Sequence, residues 1–380
     1  MTSPTLTSPH TPANAKNPKL TWHGVRTVAK LELTQRLRSS RWKAVLIIWF
    51  IGVGAICLLI SAALTASTPY YSATVGPTIF GLNIFFILFM GLLITPSLSS
   101  TAINGDRNAG TLAILQASLL TPLEITLGKL AAGWLSSLAF VVISLPFIVW
   151  SIAAGGVSIW SVVTVLLMIC FVLGVICAIS LYMSARMVKT ATSTVMSYLV
   201  VATVSFITAM LFGLSTVIFG FTSTQTVLAP SEWDPNTGNP AACTVQDMGN
   251  MNPRTDLSWW LLAVNPYVLV ADVNIPSKAV TADRYSSEDP LYAISRGVRE
   301  LRANDASQNY SYERAWCKED GTVYTQQEAE ARMNQPAKQA GPVWPYGIAI
   351  YLGVGALAVM RTASRLKTPY DSLAPGVRIA

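Results

Sequence analysis

The sequence predicts an all-α polytopic membrane protein with six transmembrane helices. Two observations carry this. Only 12% of the 380 residues are charged, whereas soluble chains carry about 25%. The deficit is also concentrated, because residues 44–105, 130–185 and 190–231 contain no Asp, Glu, Lys or Arg. A helix crossing the hydrocarbon core needs about 20 apolar residues, so these runs hold about five crossings. A sixth apolar stretch lies near 345–360. A barrel would instead show segments of about ten alternating residues.

Apolar length and Gly/Pro breaks place the spans at 44–66, 78–103, 123–153, 157–185, 190–221 and 344–361. Pro146 is expected to kink or break the third. The run from Thr68-Pro69 to Gly76-Pro77 separates spans one and two, and Ala154-Gly155-Gly156 separates three and four. Basic residues mark the cytoplasmic loops. The N-terminal tail, the 104–129 loop, the 186–189 turn and the C-terminal tail are basic, and the short connections between them are uncharged. Both termini are therefore expected in the cytoplasm, with residues 1–24 a disordered tail and 362–380 the C-terminal tail. Trp42, Trp150, Trp160, Trp344 and Tyr346 fall near span ends, where amphipathic rings favour the membrane boundary. The net charge of +7 is concentrated near the N-terminus, with eight basic residues against one acid in positions 1–43, and no basic patch carries interleaved stacking aromatics, so a nucleic-acid partner is not expected.

Residues 222–342 form a polar insertion between spans five and six, expected to be extracytoplasmic. Asp289-Pro290 reads as an N-cap and first position of a helix to about Arg302, and Thr325-x-x-Glu328 reads as a capping box. The apolar stretch Leu257 to Val273 is interrupted by Asn265-Pro266 and reads as re-entrant or interfacial, not as a seventh span. Of five cysteines, Cys57, Cys170 and Cys177 lie in spans. Cys243 and Cys317 both lie in the insertion, where an oxidising compartment favours a disulfide. The alternatives are two free thiols or a metal pair short of ligands.

Both histidines, His10 and His23, are in the N-terminal tail, which removes Ser-His, Cys-His and His-metal chemistry from the insertion. The charge-free runs that make up most of the spans carry no ionisable acid or base of the kind proton-coupled transporters keep in the membrane. No G-x-x-x-x-G-K-[ST] phosphate loop occurs. The chain reads as a non-enzyme with no cofactor of its own, and directed work would need energy from another chain.

One cytoplasmic stretch carries a combination of residues. Gly105-Asp106-Arg107-Asn108-Ala109-Gly110-Thr111-Leu112-Ala113-Ile114-Leu115-Gln116 is followed by Leu120-Thr121-Pro122-Leu123, then Ile125 and Gly128-Lys129-Leu130. An acid–base pair precedes a glycine and a short apolar helix; Pro122 ends that helix and starts the next span. Here the sequence resembles the permease subunits of the ABC-2 family of ATP-binding-cassette transporters, whose pattern reads acid-Arg-x-x-Gly-Thr-Leu-x-x-Leu, a spacer, Pro-Leu, a spacer, Gly-Lys. The resemblance covers about 25–220 and 257–361. It implies that 104–122 is a coupling loop seated on a separate ATPase, with Asp106, Arg107, Gly110, Thr111, Leu112 and Leu115 as the contacts. It implies an N-terminal elbow helix over 25–43, whose Val25, Val28, Ala29 and Leu33 share a side on which Arg36 intrudes.

On this resemblance the chain is an export permease in a bacterial plasma membrane. It would pair with a second permease chain, be surrounded by lipid, and be driven by MgATP hydrolysed on the partner subunit. Spans two and five would line the path, with Asn83, Ser97 and Ser100 among its few polar groups; an amphipathic, lipid-like, drug or peptide substrate is expected. The alternative is a membrane-anchored sensor or scaffold using its extracytoplasmic domain for binding.

Overall fold

The computed structural model describes residues 20–67, 75–112, 115, 120–233, 240–275, 289–304, 315–333 and 340–367. The tails beyond these bounds, the breaker loop 68–74 and most of 113–119 lie outside the described residues. Among the described residues, six helices are long and apolar enough to cross a membrane. In chain order the helices are α1 Trp22–Arg38, α2 Ser40–Ser67, α3 Gly76–Ser99, α4 Asn104–Asn108, α5 Pro122–Ala153, α6 Ile159–Arg186, α7 Thr190–Ala202 and α8 Thr208–Ile218. The hairpin β1 Phe221–Trp233 and β2 Pro240–Asn252 follows, then α9 Trp259–Val264, α10 Pro266–Asp272, α11 Pro290–Ala303, α12 Gln326–Met333 and α13 Trp344–Leu366.

The expected spans correspond to α2, α3, α5, α6, α7–α8 and α13. The structure differs from the sequence expectation at several points, among them the junction of the N-terminal helix and the first span, which falls at Ser39 and not at 43–44. The N-terminal helix already begins at Trp22, capped by the Thr21 side chain. The third span runs unbroken through Pro146. A proline removes one backbone donor and crowds the preceding turn, and here the helix continues past it.

Helices in lipid gain little from hydrophobic burial against one another, so they associate by close packing and interhelical hydrogen bonds. The central pair is α3 and α6, each 56% buried over its most apolar stretch, against 17% for α2. Their seam holds Ile84, Ile87, Leu88, Val165, Ile169 and Val172. Hydroxyls stitch the adjoining seams. Thr95 Oγ1 donates to Ser137 Oγ at 3.1 Å, and the indole N–H of Trp49 reaches Phe140 O at 3.0 Å and Ser144 Oγ at 2.9 Å.

The fifth span contains a π-helical turn, Thr203–Ile207, between α7 and α8. Asn265 is placed against it. Its Nδ2 donates to Ser205 O at 2.7 Å and Thr208 Oγ1 at 3.2 Å, while its Oδ1 caps α10 by accepting from Tyr267 N and Val268 N. The 257–273 stretch is thus two short helices of six and seven residues broken at Asn265-Pro266, each too short to cross a bilayer.

Asp272, at the end of α10, organises this end of the bundle. It is 1% exposed. Its Oδ1 accepts from Ser295 Oγ at 3.0 Å and Arg299 Nε at 2.8 Å, and its Oδ2 accepts from Val343 N at 2.6 Å and Trp344 N at 2.8 Å. A carboxylate from one segment therefore caps the start of α13 while an α11 guanidinium balances it. Arg302 of α11 lies over the rings of Trp259 and Tyr346, at 4.6 and 4.9 Å.

The hairpin has no counterpart in the sequence expectations. Each strand has 13 residues, about 44 Å if fully extended, and the strands pair antiparallel from Phe221↔Asn252 to Trp233↔Pro240. An isolated two-stranded hairpin is marginal. This one is stapled by the Cys243–Cys317 disulfide, with Cα atoms 5.9 Å apart, and by packing of Trp233 edge-on to Trp316. The helix from Pro290 is present, capped by Asp289, whose burial raises its carboxyl above the ordinary range. The Thr325–Glu328 capping box is present too.

Candidate functional site

The motif-bearing segment lies at the end of the bundle opposite the insertion, where α1, α4 and the start of α5 meet. The last turn of α3 is held from two sides. Ser184 Oγ of α6 accepts from Ile103 N at 2.9 Å and Asn104 N at 3.1 Å. Ser193 Oγ of α7 donates to Ser100 O at 2.6 Å. These bonds satisfy backbone groups that the helix end leaves open and fix where α4 begins.

After α4 the chain reverses at Gly110, whose φ is +73°. A side chain there would crowd the following carbonyl, so the glycine of the motif is a conformational requirement. Thr111 Oγ1 donates back to Asp106 O at 3.3 Å. Leu112, 2% exposed, then enters a cluster with Ile103, Ile125, Leu181 and Leu366, against which Leu115 packs.

Gly128-Lys129 explains itself in the same region. A Cβ on Gly128 would lie 2.5 Å from Val28 Cβ and 3.0 Å from Val25 O, so only glycine lets α1 approach this closely. Gly24 lies against Glu124, Val28 against Gly128 and Arg36 against Ser136; α1 therefore runs parallel alongside the start of α5. Lys129 is buried, with its side chain 1% exposed, and donates to Asp106 Oδ2 at 2.5 Å and to Glu32 of α1. Arg36 lies 3.9 Å from Glu32 and donates to Ser136 Oγ at 3.0 Å and Leu98 O at 3.1 Å. Two carboxylates thus face two cations, the condition under which a buried charge is tolerated. The Arg36 that interrupts the apolar side of α1 is the residue that ties α1 to α3 and α5.

Glu124 closes the other end of the same junction. Its Oε1 accepts from Thr21 N at 2.6 Å and Thr21 Oγ1 at 2.5 Å, and its Oε2 from Thr121 N at 2.7 Å. Thr121 caps α5 in return, in a capping box with Pro122 at the first helical position. One carboxylate thereby joins the starts of α1 and α5.

The six motif residues divide by orientation. Asp106 faces Lys129, and Leu112 and Leu115 turn inward. Gly110 and Thr111 are exposed, and Arg107, half-buried, has no ion-pair or hydrogen-bond partner among the described residues. Asn83 and Ser100 are buried within the bundle, and both amide atoms of Asn83 lack partners. Ser97 is exposed, its hydroxyl returned to Ile94 O. Among the described residues no group of three or more His, Cys, Asp or Glu could hold a metal ion.

The family profile described as ABC-2 family transporter protein matches residues 26–341, most of the chain. This chain belongs to the ABC-2 transporter family. No curated protein matches it. As an ABC-2 protein it is a multi-pass membrane permease subunit of an ABC transporter, and the family works with a separate ATP-binding subunit. Glu32, Arg36, Glu124 and Lys129 were not among the contacts assigned from sequence, although Lys129 belongs to the motif and Arg36 stood out on the elbow helix. A signal for the first was present: Glu32 is the one acid among the eight basic residues of positions 1–43.

Proposed function

We propose that this ABC-2 permease exports an amphipathic substrate, powered by MgATP hydrolysed on the partner subunit. The α1–α4 end and both termini face the cytoplasm, and the hairpin end faces the exterior of a bacterial plasma membrane. The basic loops at the α1–α4 end and the Cys243–Cys317 disulfide at the other support this orientation.

The observation that carries the coupling reading is Lys129. Its buried ammonium holds the ATPase-facing segment through Asp106, the N-terminal helix through Glu32, and its own span through the backbone. A push on α4 then moves α1 and α5 as one body. Arg107, Gly110 and Thr111 form the surface offered to the ATPase, with Arg107 suited to a carboxylate there. Asp106, Leu112 and Leu115 hold that surface to the spans. A second permease chain completes the path along the apolar exposed face of the fifth span, where Leu199, Phe206 and Met210 are 53%, 60% and 64% exposed.

The test is hydrolysis by the reconstituted complex. Arg107→Glu should leave the permease folded and bound lipid unchanged, yet abolish permease-dependent stimulation of ATP hydrolysis. Stimulation at the wild-type level would sink the assignment.

A further inference from the structure

Three arginines, Arg186, Arg361 and Arg365, lie on the last turns of α6 and α13 at the α1–α4 end of the bundle. Helices α6 and α13 both start at the insertion end, where Ser161 bonds Asn274 and Asp272 caps α13. Both finish at the opposite end, where Leu181 and Leu366 share a cluster. They are therefore parallel. A Cβ on Gly355 would lie 3.4 Å from Val175, which sets their register. With equal rise per residue, Arg361 comes level with Leu181 and Arg365 with Ala185, one residue short of Tyr182 and Arg186.

Arg186 Nη1 donates to the Tyr182 hydroxyl at 3.3 Å. The register places Arg361 and Arg365 of α13 beside the same last turns of α6. Among the described residues no carboxylate pairs with Arg186, Arg361 or Arg365. Guanidinium groups match phosphate oxygens in geometry as well as charge. Helix C-termini and cytoplasmic loops favour basic residues in general. Neither preference sets three of them on the last turns of two helices packed side by side.

The neighbouring surface is apolar. Leu357 and Val354, 50% and 44% exposed, continue the Arg365–Arg361 stripe along α13 at helical spacing toward the middle of the bundle. We propose that Tyr182, Arg186, Arg361 and Arg365 bind the phosphate of an anionic phospholipid whose acyl chain lies along Leu357 and Val354. Basic sites between spans at the membrane boundary suit such headgroups. The inference rests on the six helices crossing a bilayer and is independent of ATPase coupling.

The experiment is native mass spectrometry of the full chain in nonionic detergent, supplied with phosphatidylglycerol or phosphatidylcholine. The wild type should retain phosphatidylglycerol in preference. The variant R186Q/R361Q/R365Q should lose that preference by roughly tenfold or more, which is about 1.4 kcal/mol. The control R26Q/K30Q, on the exposed face of α1, should keep it. Should the triple variant fail to fold by circular dichroism, the single R361Q carries the same prediction with a smaller loss. Three results would overturn the proposal: no headgroup preference in the wild type, an equal loss in the control, or displacement of the lipid by millimolar inorganic phosphate. None of them touches ATP hydrolysis, so this inference and the coupling reading fail separately.

Discussion

Replacing Lys129 by methionine removes the ammonium and keeps the length of the side chain. Glu32 and Asp106 then lose their shared partner, and Arg36, 3.9 Å from Glu32, is the remaining cation. Removing one partner of a buried pair costs about 3–5 kcal/mol. The side chains of Glu32 and Asp106 are 17% and 30% exposed, so water softens the loss. The expected destabilisation is at the low end, about 3 kcal/mol. The assay is thermal unfolding of the purified permease beside Lys30→Met, whose side chain is exposed and which should be near neutral. The triple variant E32Q/D106N/K129M should recover part of the loss, because no carboxylate is then left unpaired. ATP hydrolysis by the complex should fall with Lys129→Met even at temperatures where the permease stays folded. A Lys129→Met protein as stable and as well coupled as Lys30→Met would refute the clamp.

Gly110→Ala should cost about 1–2 kcal/mol because alanine must take the left-handed backbone that glycine holds at φ +73°, and it should impair stimulated hydrolysis. Gly105→Ala, in α4 with only Thr101 Cβ at 4.0 Å, should be tolerated in both measurements. Asp272→Ala should destabilise by about 3 kcal/mol or more, since it leaves Arg299 and the first amides of α13 unpartnered; faster hydrogen exchange at Val343 and Trp344 would show the lost cap, and unchanged exchange would contradict it. The Thr325 amide and hydroxyl hold the Glu328 carboxyl below its ordinary value of 4.5. Its contribution to α12 is therefore complete above that value and is lost as pH falls through the lowered one, so α12 amides should exchange faster in acid after correction for the intrinsic rate.

The membrane spans were legible because charge-free length is a strong and local signal, and the caps at Asp289 and Thr325 because capping needs only residues close in sequence. The hairpin was not. Its strands are threonine-, serine- and glutamine-rich with few apolar positions, and the apolar cluster that supports it is supplied by Trp316, Cys317 and Ala329, far along the chain. The ends of the disulfide could be found by elimination, but not the strand that carries Cys243. At the coupling end, the motif was readable as a pattern while its division of labour was not. Lys129 meets Glu32 across 97 residues and Asp106 across 23, and only the fold brings them together. Arg36 looked like a flaw in an amphipathic helix because amphipathicity assumes lipid or core on the apolar side. Here that side meets Ser136 and the Leu98 carbonyl. The capping box at Thr121-Pro122-Leu123-Glu124 was fully local and went unread, although Pro122 itself was read as the start of the next span.

The account turns on the Arg107–Thr111 surface meeting the ATPase. A photoreactive amino acid at Thr111, beside one at Val245 on the far hairpin, tests that contact in the assembled transporter. The account predicts a cross-link to the ATP-binding subunit from position 111 and none from 245. A cross-link from 245 alone would contradict it.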